Sequence, residues 1–449
     1  MIFTALGLSL GSSASLYLLG KLLLGLPTLV FFAIEISLVF LLFSISFEKI
    51  KRCFIKSELK LPCFDLRSVL QPKPQRILPF AFLIALIVNI FSFLLLSVRE
   101  PHGGWDAWAI WNMRARFIFR SGEHWRNAFS SAMAWSHIDY PLLIPSLVTR
   151  SWAYVGDETT LVPATLAAVF TFSTLGFLVS SLSVLSGKKQ GSIAGLLLLS
   201  SPVFIKFGAS QCADIPLGFF ILSTIVLLTY RDIYNYNSLR KNYTLTILAG
   251  FMTGFAASTK NEGMLFLVAV STAQILLLPF ANTKKEYRSQ LKQVCLFLLG
   301  LLPLLGLLLY FKGNIAPSSE FLDSQNLKNV FSRISDFSRY IVIVKEFSKQ
   351  LGYYVAILGA CLLFLGFKLE KQKLAGITTA LLTIFLMLLG YACVYLITPY
   401  DLSWHLVSSL DRLLIQLWPV SVFTCFLVIR IRHKEMNLTV SQSIESRPT

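Results

Sequence analysis

The chain is written as long apolar runs separated by short polar segments. Apolar runs fall near 2–20, 24–47, 78–98, 160–186, 190–208, 214–230, 243–259, 262–280, 293–311, 353–367, 374–398 and 411–430. An apolar stretch of about 17–25 residues is what a helix needs to cross a bilayer, so the pattern predicts about 12 transmembrane helices. Period-two alternation in blocks of about ten residues, the signature of a membrane β-barrel, is absent. The expected fold is therefore an all-α polytopic membrane protein. The N-terminus lacks the basic segment of a cleavable signal peptide, so 2–20 reads as a retained span.

Mean hydropathy of +0.67 agrees with this class. The formal charge of +17 raises nucleic acid or anionic lipid as partners, but topology accounts for it more simply. With both termini inside, the inner segments carry 24 Lys and Arg against 8 Asp and Glu, and the outer segments carry 14 of each. The positive-inside rule requires that asymmetry. Basicity thus reports orientation, and no nucleic-acid partner is implied. Seven cysteines show no metal-ligand spacing or disulfide framework.

In this orientation most of the chemistry falls on the outer face. Trp105-Asp106-Ala-Trp108 follows the run 78–98, with Arg114 and Arg116 further on. Asp106 can take a proton from a hydroxyl as a general base, or equally cap a helix after Gly103-Gly104. Trp105 and Trp108 suit sugar stacking or interfacial anchoring. Arg114 and Arg116 suit a phosphate, for which guanidinium offers a planar fork, or ordinary lipid headgroups. His137 and Asp139 precede an interrupted apolar stretch, 141–156, expected to form a re-entrant or surface helix. Asp214 sits in one hairpin between spans, and Lys260 and Glu262 in another, where they can pair with each other. Asp401, Trp404, His405, Asp411 and Arg412 share one short segment. Ionisable groups at membrane depth are costly unless used, which favours a common pocket. No DxD, Walker, GxSxG or HExxH motif occurs. A divalent metal has no motif to indicate it, and no cofactor is implied.

The Trp105-Asp106 loop, His137-Ile-Asp-Tyr-Pro141, Ala213-Asp214-Ile-Pro216, Lys260-Asn-Glu-Gly263 and the segment Thr398-Pro to Asp411-Arg412 resemble the GT-C superfamily of polytopic glycosyltransferases. The likeness is to the bacterial branch akin to protein O-mannosyltransferases and lipid A aminoarabinose transferases. It implies a catalytic module over 78–430 with a large outer loop containing interfacial helices. Residues 1–77 would be two added spans and a basic cytoplasmic connector, and 431–449 a cytoplasmic tail. It also implies a bacterial inner membrane and a periplasmic active site. The donor would be a polyprenyl-phosphate-linked sugar, and the acceptor a hydroxyl of a lipid, glycan or protein. Transfer would be inverting, with Asp106 as base. Arg114, Arg116, Lys260 and Arg412 would meet the donor phosphate. Trp105, Trp108, His137, Asp139, Asp214, Glu262, Trp404 and His405 would bind sugar or acceptor. Many relatives carry an adjacent acidic pair where Ala107 follows Asp106, so a metal at this position is not expected. A lipid-linked glycan ligase or polymerase, a transporter and an assembly subunit are the alternatives.

Overall fold

The computed structural model describes residues 2–27, 29–41, 77–237, 243–281, 283–318 and 326–429. They form a helical membrane bundle, without a strand among the described residues beyond one Phe367–Ile429 bridge. In chain order the helices are α1 (Ile2–Tyr17), α2 (Leu29–Leu41), α3 (Ile77–Arg99), α4 (Asn112–Arg120), α5 (Leu143–Val155) and α6 (Leu161–Leu185). There follow α7 (Lys188–Leu199), α8 (Pro202–Ala209), α9 (Asp214–Asn237), α10 (Tyr243–Thr259), α11 (Asn261–Leu276) and α12 (Lys284–Asn314). The last four are α13 (Leu327–Ser335), α14 (Phe337–Leu365), α15 (Lys371–Ile397) and α16 (Leu402–Val428).

Nine helices among the described residues are long and apolar enough to cross a membrane, or ten if α7 and α8, bent by 68° about Ser200-Ser201, are one span. The expectation of twelve is thus met in part. Each apolar run contains helix among the described residues, but α2 and α10 have only 13 and 17 residues. The connector expected at 48–77 lies, except for Ile77, outside the described residues, as does the tail 431–449.

Burial orders the bundle. The most apolar stretches of α9 and α16 are each 78% buried, whereas those of α3 and α14 are 6% and 0% buried. The bundle is therefore built around α9 and α16, with α3 and α14 facing outward. Helices in lipid gain no hydrophobic drive towards each other, so close contact depends on small residues. A Cβ on Gly250 would stand 2.1 Å from the Phe297 carbonyl oxygen, and one on Gly300 would stand 2.2 Å from that of Ile247, so α10 and α12 touch backbone to backbone. Gly218 of α9 admits the Gln416 backbone of α16 in the same way, at 3.1 Å. The Gly-Ser-Ser-Ala-Ser stretch of α1 is its docking face: Gly11 meets the Phe255 ring, and Ala14 is fully buried.

Between α3 and α6 the chain folds into short helices. A π turn, Ala107–Trp111, leads into α4, and two 3-10 segments, Gly122–Phe129 and Ser131–Ser136, precede α5. The expected re-entrant or surface helix is α5, buried from Leu143 to Thr149 beneath these segments.

Candidate active site

The arrangement begins at the first turn of α9. The Asp214 carboxylate is wholly buried, and such a charge is tolerable only when paired and hydrogen-bonded. Lys260 Nζ donates to its Oδ1 at 2.9 Å and Gln416 Nε2 at 2.6 Å. Arg412 donates to its Oδ2 from Nη2 at 3.0 Å and from Nε at 3.2 Å. Arg412 also reaches the Asp106 carboxylate, and Lys260 lies 2.8 Å from Glu262 Oε1. Carboxylate and cation thus alternate along one chain: Asp106, Arg412, Asp214, Lys260, Glu262. Burial works against the charge of Lys260, but Asp214 and Glu262 outweigh it and hold the ammonium above the ordinary lysine value.

Local structure supports each member. Gly103 has φ +76°, and a Cβ there would stand 2.7 Å from the Ser210 carbonyl oxygen, so only glycine suits this turn. Gly104 N–H donates to Ser210 O at 3.0 Å, and Asn112 Nδ2 to Gln211 Oε1 at 2.8 Å. These bonds dock the Asp106 segment on the α8–α9 turn. Asp106 does not cap its helix, since its side chain goes to Arg412. Asp401 is the capping carboxylate, accepting from Trp404 N–H at 2.7 Å.

Glu262 also lines a cavity of about 560 Å³, together with His137, Asp139, Asn261, Tyr391 and His405. Asn261 donates to Asp139 Oδ2 at 2.6 Å, and Lys312 donates to Asn261 Oδ1 at 2.8 Å and to the Asp139 carbonyl. His137 holds a left-handed backbone at φ +53°, uncommon for a non-glycine residue. Its ring stacks on Tyr140 at 5.2 Å, and Tyr140 stacks on Trp111 at 5.4 Å. Burial holds the His137 imidazole below the usual histidine value, against the opposing pull of Asp139 and Asp106. His405 pairs through Nδ1 with Thr398 Oγ1 at 2.9 Å. Among the described residues, no group of three or more His, Cys, Asp or Glu side chains could hold a metal ion.

The structure therefore gathers Asp106, Asp214, Lys260, Glu262 and Arg412 into one network, and His137, Asp139, Glu262 and His405 around one cavity. Other expected members stand apart. Arg114 is fully buried and donates from Nη2 to the Ser136 and His137 carbonyls at 2.5 Å each. Its burial, against Asp139 and Tyr140, lowers its pKa to about 10. Through Nη2 it braces the segment under the cavity, while its Nε and Nη1 are buried without a hydrogen-bond partner among the described residues. Arg116 lies 3.8 Å from Glu158, within hydrogen-bond distance of His102 and over the face of Trp152. Trp105 and Trp108 are about half exposed and meet each other and Trp135, without lining the cavity. Trp404 is exposed and stacks on His405.

Sequence reasoning missed Gln416 and Tyr391. Gln416 lies one turn beyond Arg412, and its Oε1 accepts from the Tyr391 hydroxyl at 3.0 Å, which ties Asp214 to the cavity wall. The available signal was a lone amide in an apolar run, at helical spacing from Arg412. No family of known sequences, no curated protein and no solved structure matches this chain.

Proposed function

We propose that the protein is a membrane glycosyltransferase that moves a sugar from a polyprenyl-phosphate-linked donor to an acceptor hydroxyl. The observation that carries this reading is the sharing of Arg412 by Asp106 and Asp214, in a network that reaches the 560 Å³ cavity through Glu262. A base, a cation for a leaving phosphate and a chamber of sugar size are the parts such a transfer needs. The chamber is walled by tyrosine and histidine rings, which suit the apolar faces of a sugar. A second, apolar cavity of about 380 Å³ lies between α14, α15 and α16, lined by Tyr354, Leu358, Ile384, Leu388, Leu417 and Trp418. It runs along the helix that carries Arg412 and suits a prenyl chain.

In this mechanism the acceptor oxygen attacks the anomeric carbon from the side opposite the phosphate. Its proton passes to the Asp106 carboxylate. The bond from the anomeric carbon to the phosphate oxygen breaks, and its electron pair leaves with polyprenyl phosphate. Arg412 and Lys260 stabilise the charge that gathers there. Configuration inverts, and no cofactor is consumed. The donor would be met on the periplasmic face of a bacterial inner membrane.

Glu262 supports a variant of this reading, because it is the network carboxylate that lines the cavity. A ligase or polymerase built on loop arginines is less well supported: Arg333 and Arg339 donate to the carbonyls of Ile397, Leu396 and Tyr395 and so cap α15. The test is transfer of radiolabelled sugar from polyprenyl-phosphate donors, using membranes with the wild-type protein, Asp106→Asn or Glu262→Gln. Loss of about 10²–10⁴ in rate in Asp106→Asn identifies the base. The same loss in Glu262→Gln alone moves the base to Glu262. Absence of transfer by folded wild-type protein from every donor overturns the reading.

A further inference from the structure

The alternating network is not uniform. Both Asp214 oxygens are filled by four contacts from three donors, and its side chain is 0% exposed. Removing it would leave each of two buried cations with one carboxylate in place of two. Asp106 is different. It accepts from a single Arg412 nitrogen, its Oδ1 makes no hydrogen bond among the described residues, and its side chain is 14% exposed. Arg412 is 18% exposed, and its Nη1 makes no hydrogen bond among the described residues. With three carboxylates on two cations, the network is already one negative charge in excess. A phosphate added to the intact cluster would meet repulsion. A phosphate exchanged for one carboxylate keeps the guanidinium paired: the diester of the donor carries one negative charge and two non-bridging oxygens, like a carboxylate, and can meet the fork with two bonds where Asp106 makes one.

We infer that Asp106 occupies Arg412 as a stand-in for the donor phosphate, and that an arriving polyprenyl monophosphate group displaces it. This rests on the proposed reading of the site and extends it to an order of events. Donor binding takes Arg412 and leaves Asp106 unpaired beside the reacting centre, where it can accept the acceptor's proton. Until then the base is masked, which guards against transfer to water. Asp214 is the positioning residue that keeps Arg412 in place throughout the exchange.

Removing Asp106 should therefore act against the usual effect of deleting a binding-site residue. Asp106→Asn abolishes transfer but tightens phosphate binding, because the competing carboxylate is gone. A charged hydrogen bond of this kind sets the expected gain in affinity at about tenfold. Binding of a short-chain prenyl phosphate and of inorganic phosphate to the purified full-length protein is measured by calorimetry in detergent, for wild type, Asp106→Asn, Asp106→Ala and Arg412→Gln. The two Asp106 variants provide the same test should one of them not fold. Tightening in either Asp106 variant, with loss in Arg412→Gln, supports the exchange. If inorganic phosphate shows it too, the phosphate group alone is recognised; if only the prenyl ester does, the chain is needed as well. Unchanged or weaker binding in the folded Asp106 variants, or no binding to wild type, overturns it. Transfer activity is read in parallel: tightening without any transfer leaves the phosphate site and removes the transferase, whereas transfer without tightening removes the exchange alone.

Discussion

Asp214→Asn is the sharpest test of the network, because the substitution changes charge and hydrogen bonding while keeping shape. Oδ1 accepts from Lys260 and Gln416, and Oδ2 accepts twice from Arg412. An asparagine amide has one acceptor oxygen and one NH2 group. If the oxygen takes the Oδ1 position, the NH2 faces the Arg412 donors. If it takes the Oδ2 position, the NH2 faces Lys260 and Gln416. Either way two bonds are lost and donors face donors at about 3 Å. Lys260, only 4% exposed, or Arg412 is then left with an incompletely compensated charge. Breaking a buried pair on one side costs about 3–5 kcal/mol. Asp106→Asn, in the more exposed pair, is expected to cost about 1–3 kcal/mol. Thermal unfolding of both variants in detergent measures the difference. A melting temperature for Asp214→Asn at or above that of Asp106→Asn refutes Asp214 as the anchor.

Three further expectations follow from the packing and the charges. Gly263→Ala places a Cβ 1.8 Å from the Ala256 carbonyl oxygen, so the start of α11 must move away from α10; a loss of about 1–3 kcal/mol in stability, with loss of prenyl phosphate binding, is expected in unfolding and binding assays, and wild-type behaviour in both would refute the close contact. Glu35→Gln weakens the site where Arg150 Nε at 2.9 Å, Tyr154 at 2.7 Å and Ser13 at 2.8 Å converge on α2; a double-mutant cycle with Arg150→Met should give a coupling of about 1–3 kcal/mol, and additivity would refute the pair. His137 is held below its unfolded pKa of 6.5, so the unfolded chain takes up the proton first and stability falls as pH drops below about 6.5; His137→Gln should remove that part of the acid sensitivity in melts from pH 7 to about 5, and an unchanged profile would refute it.

The helical membrane fold was legible because apolar run length and the one-sided excess of lysine and arginine are local or additive signals. The candidate site was legible only as residue types gathered at one end of the spans. Asp106, Asp214, Lys260, Glu262 and Arg412 were visible as charges in short polar segments. Their order in the network was not, because it depends on how α9, the α10–α11 junction and α16 face each other. Arg114 shows the limit most clearly. As sequence it resembles a phosphate ligand no less than Arg412 does, yet it is buried with its Nη2 committed to the carbonyls of Ser136 and His137. Arg116 is diverted to Glu158 by the same kind of long-range pairing. Only the fold decides which guanidinium is buried beneath a loop and which lies beside a pair of carboxylates. Gln416 was missed for the converse reason: a single amide in an apolar run carries no charge to draw attention.

The glycines explain how a charged cluster is held together between apolar helices. Five ionisable groups need short contacts on every side, and large side chains between helices would hold those contacts open. Gly218 lets Gln416 and its helix come within van der Waals distance of α9, one turn from Asp214. Gly263 does the same for α10 and α11, which brackets Lys260 and Glu262. Gly103 brings Ser210 against the segment that carries Asp106. Each close approach lies within about one turn of a charge it helps to place, so backbone contact supplies the rigidity that a pocket lined by flexible side chains would lack. Bulk added at Gly218, which never touches a ligand, should therefore lengthen the contact between Asp214 and Arg412 and weaken phosphate binding more than bulk added at Gly306, where nothing lies within 4 Å.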